Sequence, residues 1–84
     1  MDKSLRQREH AVLIALLRDM RTEAGLKQAD VAARLGAPQS FVSKYESGER
    51  RLDLLEMRQV CTALGSSLSD LVRRFEERLA SSDP

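Results

Sequence analysis

The chain has 84 residues, one cysteine, 42% hydrophobic residues and 32% charged residues. This length predicts one small domain, and a single cysteine excludes internal disulfide bonds as the source of its stability. The net charge of +1 excludes a strongly basic, general polyanion binder. No apolar run reaches the roughly 18 residues of a membrane span, so we expect a cytoplasmic protein with no membrane partner.

Glycines separate the first three predicted helices. The first helix covers residues 5–24, where apolar side chains recur at the spacing of one helix face. The second helix covers residues 28–35. The third follows Pro38, because proline near a helix start removes no hydrogen bond, and it continues to about Ser47. Glycine suits the left-handed position just past a helix end, so we expect these helices to end at Gly25, Gly36 and Gly48.

Capping residues predict the starts of the last two helices. Asp53 and Glu56 match a capping box, and Ser67 with Asp70 caps the fifth helix. Each helix has an apolar stripe, and we expect the inner part of the fifth stripe, Leu68, Leu71 and Val72, to lie in the core. The stripes are Met57, Val60, Cys61 and Leu64 in the fourth helix, and Leu68, Leu71, Val72, Phe75 and Leu79 in the fifth. Residues 80–84 are expected to form a frayed polar tail, which gives an all-α fold of five helices.

The functional signal lies between Gln28 and Arg51. Here two short helices are joined by a turn that contains glycine, which is the helix-turn-helix arrangement. The second helix of such a pair can lie in the major groove of DNA, where its side chains reach base edges. The third helix presents polar side chains suited to that contact. They are Gln39, Ser40, Ser43 and Lys44.

Four motifs keep their register across the five helices: Arg21-x3-Gly25-Leu26-x-Gln28, Val31-Ala32-x2-Leu35-Gly36, Val42-Ser43-Lys44-Tyr45-Glu46-x-Gly48-x-Arg50 and Ala63-Leu64-Gly65. With these motifs the chain resembles the XRE family, the lambda-repressor-like helix-turn-helix domains of bacterial and phage regulators. The resemblance covers residues 13–72. It leaves residues 1–12 as an extension of the first helix and residues 73–84 as the end of the fifth helix with its tail. It implies a compact lambda-repressor-like domain in which the second and third helices form the helix-turn-helix.

The resemblance also implies a role for each matching residue. Gln39, Ser40 and Lys44 match base-contacting positions, and Ser43 lies close to the groove. Gln28, Arg50 and Arg51 match positions that hold the DNA backbone. Arg21 and Glu46 match an ion pair that ties the first helix to the end of the third. Lys27 stands where Ser or Thr commonly caps the second helix, and we interpret it as a ligand of a DNA phosphate.

Several residues allow two interpretations. Phe41 can pack on Tyr45 or meet a thymine methyl group, and packing is favoured. His10 has no metal-ligand cluster around it, which favours a surface residue. Cys61 is expected to act as a small core hydrophobe. Phe75 and Leu79 are placed beyond the compact domain, where we expect a homodimer contact.

These features favour a sequence-specific regulator that binds double-stranded DNA as a homodimer, with repression of a palindromic operator as the expected action. The sequence has no nucleophile–base pair, metal cluster or phosphate loop, so we expect no enzyme, no cofactor and no metal. A restriction–modification controller or a helix-turn-helix antitoxin would have the same layout. A protein-interaction module without DNA binding is the alternative that the low net charge favours. Residues 1–51 carry +3 and residues 52–84 carry −2, so a basic face remains compatible with that charge.

Overall fold

The computed structural model describes residues 3–82, and all regular structure in this part of the chain is helical. The helices are α1 (Lys3–Glu23), α2 (Gln28–Leu35), α3 (Gln39–Glu46), α4 (Leu54–Ala63) and α5 (Leu68–Ser82). The predicted all-α fold of five helices is confirmed. The frayed tail predicted from residue 80 is wrong as far as Ser82, since α5 continues to that residue. The parts of the predicted extension and tail at residues 1, 2, 83 and 84 lie outside the described residues.

The five helices enclose one core. The α2 and α3 helices pack against each other, α1 lies against α3 and α5, and α4 contacts α2 and α5. The most buried side chains come from all five helices and include Leu16, Leu17, Val31, Val42, Tyr45, Val60, Cys61 and Leu71. Burial raises the pKa of the Cys61 thiol, and the charge of Asp70 adds to this effect. Cys61 is therefore a core residue, as predicted. No helix among the described residues is long and apolar enough to cross a membrane.

Side chains cap the starts of α2, α4 and α5 to different extents. Asp53 accepts a hydrogen bond from the backbone N–H of Glu56 at 2.7 Å, and Glu56 accepts one from Asp53 at 3.0 Å, which confirms the predicted capping box. The Ser67 hydroxyl accepts from the backbone N–H of Asp70 at 3.0 Å. At the start of α2, Asp30 accepts from the backbone N–H of Lys27 at 2.8 Å. The Lys27 ammonium has no acceptor atom, so α2 has only half of a capping box.

Two glycines shape the connections around α3. Gly36 adopts a φ of 65° at the end of α2, and the N–H groups of Gly36 and Ala37 bond back to α2 carbonyls. Gly48 has a φ of 84° just past α3, where a Cβ atom would lie 3.3 Å from Cδ1 of Ile14. A side chain at this position would be strained by the backbone conformation and crowded by α1. Gly48 therefore allows the chain to turn sharply from α3 toward α4.

The apolar stripe of α5 differs from the prediction at two positions. Val72 is 48% exposed, so its predicted place in the core is wrong. Phe75 is half-buried and packs against the core, so its predicted place beyond the compact domain is also wrong. The side of α5 that faces the core runs through Leu71 and Phe75, and Val72 therefore points toward solvent. The predicted stripe was therefore wider than the face that α5 buries.

Candidate nucleic-acid interface

The α3 helix exposes a polar surface formed by four side chains. We call Gln39, Ser40, Ser43 and Lys44 the recognition face. Gln39, Ser40 and Lys44 are exposed, and Ser43 is half-buried with its hydroxyl donating to the carbonyl of Ser40 at 3.2 Å. Val42 is buried on the opposite side of the helix. The structure thus places the predicted base-contacting residues on one surface of α3, opposite the buried Val42.

A buried carboxylate at the end of α3 organises this surface from below. The side chain of Glu46 is 1% exposed. It accepts hydrogen bonds from Nε of Arg21 at 2.7 Å and from Nη2 of Arg21 at 3.0 Å. It also accepts one from the amide of Gln28 at 3.1 Å, and the oxygen of that amide accepts from Gln39 at 3.5 Å. We call Arg21, Gln28, Gln39 and Glu46 the Glu46 network, which joins α1, α2 and both ends of α3.

The charges in this network favour the ionised form of Glu46. Burial raises the pKa of the Glu46 carboxyl. The hydrogen bonds from Arg21 and Gln28, with the positive charges of Arg21 and Arg18, outweigh burial and hold the pKa below its ordinary value. The same bonds raise the pKa of Arg21. Glu46 therefore stays charged at neutral pH with its charge met inside the protein.

The guanidinium of Arg50 contacts side chains of its own chain, Glu56 and Phe41. Its Nη1 and Nη2 donate to the two carboxylate oxygens of Glu56 at 3.1 and 2.7 Å. Its Cζ lies 4.8 Å from the centroid of the Phe41 ring, and this ring meets Tyr45 edge-on at 5.6 Å. The hydrogen bonds to Glu56 raise the pKa of Arg50. The sequence had indicated Phe41 packing on Tyr45, but it gave no sign of the Arg50–Glu56 pair because Glu56 was already assigned to the α4 cap.

The other predicted backbone-contacting cations are open to solvent. Lys27 and Arg51 are exposed at the start of α2 and in the loop after α3. Arg51 lines an open cavity of about 290 Å³ together with Arg6 and His10. Partial burial and then the charge of Arg51 lower the pKa of His10. Within residues 3–82 no group of three or more His, Cys, Asp or Glu side chains is placed to hold a metal ion.

A second surface, on α4 and α5, is apolar. A cavity of about 190 Å³ here is lined by seven apolar residues: Leu13, Leu54, Met57, Leu68, Leu71, Val72 and Phe75. Leu54 and Leu55 are 62% and 71% exposed. We call Leu54, Val72 and Phe75 the α4–α5 apolar face. Leu79, the other predicted dimer residue, is half-buried near the end of α5. The sequence signal that was missed is Leu54, which lies one helical turn before Met57 and lines the same cavity.

The comparisons with known proteins agree with this geometry. The model of the helix-turn-helix family matches residues 17–71. The uncharacterized HTH-type transcriptional regulator y4dJ of Sinorhizobium fredii is 36% identical over 58 residues, which cover 69% of this chain and 75% of that protein. The solved structure of an XRE-family like protein from Pseudomonas syringae is 41% identical with a TM-score of 0.85, covering 90% of this chain and 93% of that chain.

A more distant solved structure is a mutant of the restriction-modification controller protein C.Esp1396I. It is 19% identical with a TM-score of 0.82, covering 89% of this chain and 95% of that chain, and at this identity it shows the fold alone. The family model spans well over half of the chain, and y4dJ spans more than two thirds of it. The chain therefore belongs to the XRE family of helix-turn-helix, DNA-binding transcriptional regulators.

Proposed function

We propose that this regulator reads a specific sequence in double-stranded DNA and represses transcription as a homodimer on a palindromic operator. The observation that carries the proposal is the Glu46 network beneath the recognition face. Gln39, the first residue of α3, is bonded to Gln28, and Gln28 is bonded to the buried Glu46. A reading surface held in this way loses little conformational freedom when it meets DNA, which favours specific binding.

The recognition face has the chemistry for reading bases in the major groove. Gln39 can form two hydrogen bonds with an adenine, and Lys44 can donate to the O6 and N7 atoms of a guanine. Ser40 and Ser43 accept or donate according to the base that they face. We assign base contacts to these four residues.

We assign contacts with the DNA backbone to Lys27, Gln28 and Arg51. Lys27 is exposed at the start of α2, where backbone N–H groups and the helix dipole already favour a phosphate. Gln28 follows it and keeps one amide hydrogen beyond the one given to Glu46. Arg51 is exposed in the loop after α3. Arg50 was also predicted for this role, but its guanidinium already binds Glu56.

We propose that the α4–α5 apolar face joins two copies of the chain. Leu54 and Val72 are exposed and line a cavity with an entirely apolar lining, and such a patch is typical of an interaction site. In a dimer with twofold symmetry the same patch serves both subunits. We add Leu54 and Val72 to Phe75 and Leu79 as dimer residues. Repression needs nothing more than occupation of the operator, so we propose it as the mode of action.

Selection from a random pool of duplex DNA at physiological salt tests the proposal. We expect an enriched palindrome whose half-sites are centred about 10 base pairs apart, or a multiple of that spacing. Lys44→Ala should relax the choice at one position of each half-site, at a loss of about 1–3 kcal/mol. Arg58→Ala, which removes an exposed cation from α4, serves as the control and should leave the selected sequence unchanged. A pool without enrichment would refute sequence-specific binding and favour a protein-interaction module.

A further inference from the structure

We propose that Arg50 is a positioning residue for the recognition helix and makes no contact with the DNA backbone. This inference rests on the proposed reading of DNA by α3. It reverses the role that the family resemblance implies for Arg50, and three observations around its side chain carry it.

The first observation is that the end-on edge of the Arg50 guanidinium, which Nη1 and Nη2 form, is already occupied. Nη1 and Nη2 both donate to Glu56, and Nη1 also donates to the carbonyl of Arg51 at 3.1 Å. A phosphate that took the same two-pronged edge would have to displace the carboxylate of Glu56. Glu56 also offsets the charge of Arg50, so the pair attracts a phosphate less than the exposed Arg51 does.

The second observation concerns the contact of the guanidinium with Phe41. The Cζ atom of Arg50 lies over the Phe41 ring, 4.8 Å from its centroid, which is the distance of a cation–π contact. Phe41 stands between Ser40 and Val42 in α3, so it is next to the recognition face in sequence. The same ring meets Tyr45, a core residue, edge-on. Arg50 therefore contacts the part of α3 that presents the base-contacting residues.

The third observation is where Glu56 is anchored. Its Oε1 accepts from the backbone N–H of Asp53 as well as from Arg50, so the carboxylate is fixed to the first turn of α4. Arg50 thus connects Phe41 on α3 with the start of α4 across the loop between the two helices. Gln28 and Arg21 restrain the two ends of α3 from α2 and α1, and Arg50 restrains it from α4.

Two substitutions separate positioning from backbone contact. Glu56→Gln keeps an oxygen for the α4 cap but breaks the two-pronged bond with Arg50. If Arg50 positions α3, this change weakens binding to the selected duplex by roughly two- to fivefold, the range expected from an exposed ion pair. If Arg50 contacts a phosphate, removing the negative charge of Glu56 strengthens binding instead.

Arg50→Lys is the second substitution for which the two roles predict different results. Lysine keeps the charge but has neither the fork nor the flat face of arginine. A positioning role predicts weaker binding to the selected duplex, a smaller loss on random duplex, and an unchanged dependence of binding on salt. A phosphate contact predicts that lysine either substitutes without loss or weakens binding to selected and random duplex equally. Arg51→Gln is the neighbouring control, and it should reduce the slope of log K against log salt by about 0.9.

Binding that strengthens in Glu56→Gln, stays unchanged in Arg50→Lys, or falls equally on selected and random DNA would overturn the inference. A measurement without DNA tests separately whether Arg50 connects α3 to the start of α4. In the NMR spectrum of the unbound protein, both substitutions should shift the amide signals of residues 40–45 in α3 as well as those of α4. Shifts confined to α4 would overturn the inference, even if the wild-type protein bound no duplex and the proposed function had failed.

Discussion

The Glu46 network and the α4–α5 apolar face differ in where their partners come from. Glu46 is buried with a full set of hydrogen bonds from its own chain, whereas Leu54 and Val72 are exposed and line an apolar cavity. A buried charge must be satisfied within the fold, because an unpartnered one carries a large free-energy penalty. An exposed apolar surface carries a smaller penalty that a second molecule can remove.

The difference predicts that the two regions respond to substitution in different observables. Changes in the Glu46 network should lower the free energy of unfolding of one chain. Changes on the α4–α5 apolar face should leave that free energy nearly unchanged and alter association. Each of the following experiments tests one side of this distinction.

The largest expected effect is that of Arg21→Met. It keeps much of the apolar stem and removes both hydrogen bonds from Arg21 to Glu46, which leaves a buried carboxylate short of its main partner. We expect the free energy of unfolding to fall by about 3–5 kcal/mol, as for other broken buried ion pairs. Urea unfolding measured by circular dichroism checks this value.

Arg74→Met is the matched control for that experiment. Arg74 pairs with Glu23 at 3.1 Å, but the Glu23 side chain is 57% exposed. An ion pair in contact with water contributes about 1 kcal/mol or less, so this variant should stay close to the wild type. Equal losses in the two variants would contradict a special role for the buried pair.

Acid should weaken the same buried pair by a smaller amount. The pKa of Glu46 lies below its ordinary 4.5 in the folded protein, so the unfolded chain takes up the proton first as the pH falls. The contribution of Glu46 to stability is complete above that ordinary value and is lost as the pH falls through the folded pKa. The difference in unfolding free energy between wild type and Glu46→Gln should therefore narrow from pH 6 toward pH 3, a range about the ordinary pKa. A constant difference would mean that the carboxylate charge does not stabilise the fold.

The sequence predicted the recognition face and the Glu46 network better than it predicted the α4–α5 apolar face. Glycines, caps and apolar spacing are local signals, and they placed all five helices. The recognition face followed from the polar side chains of the third helix, and the Arg21–Glu46 pair followed from motif positions that the family resemblance supplied. Val72 and Arg50 were harder to place, because their surroundings depend on how α5 packs on the core and on how the loop after α3 meets the start of α4. The spacing of the five apolar residues of α5 does not say which of them face the core. Arg50 and the glutamate that binds it are six positions apart, and no regular spacing along a helix relates them.

Val72→Asp tests the apolar side of the comparison. If the α4–α5 apolar face joins two copies, a carboxylate there is buried against an apolar partner and meets its own copy nearby. We expect at least about tenfold weaker association, which is about 1.4 kcal/mol. Light scattering at micromolar concentration should then report the 9.4 kDa of one chain instead of twice that mass.

Leu5→Asp is the control for Val72→Asp. Leu5 is 44% exposed on α1, close to the 48% of Val72, so the two changes introduce the same charge at similar exposure. This control should keep the mass of two chains. Both variants should unfold within about 0.5 kcal/mol of the wild type when compared as single chains, because neither fills the core. A wild-type protein that already has the mass of one chain, both alone and on DNA, would refute the dimer.

The smallest expected change in the free energy of unfolding is that of a substitution at Lys27, at the start of α2. Lys27→Ser supplies the missing acceptor at the start of α2 and completes the cap whose other half is Asp30. We expect the free energy of unfolding to rise by about 0.5–1 kcal/mol, as for other gained caps. If Lys27 binds a phosphate, the same variant binds DNA more weakly and its salt slope falls by about 0.9.

Ser67→Lys makes the reverse change at the start of α5. It removes the hydroxyl that caps Asp70 and should lower stability by a similar amount without affecting DNA binding. A gain in stability and a loss of DNA affinity in the same Lys27→Ser variant would mean that this position sacrifices a helix cap for a DNA contact. Unchanged DNA affinity would make Lys27 an ordinary surface lysine.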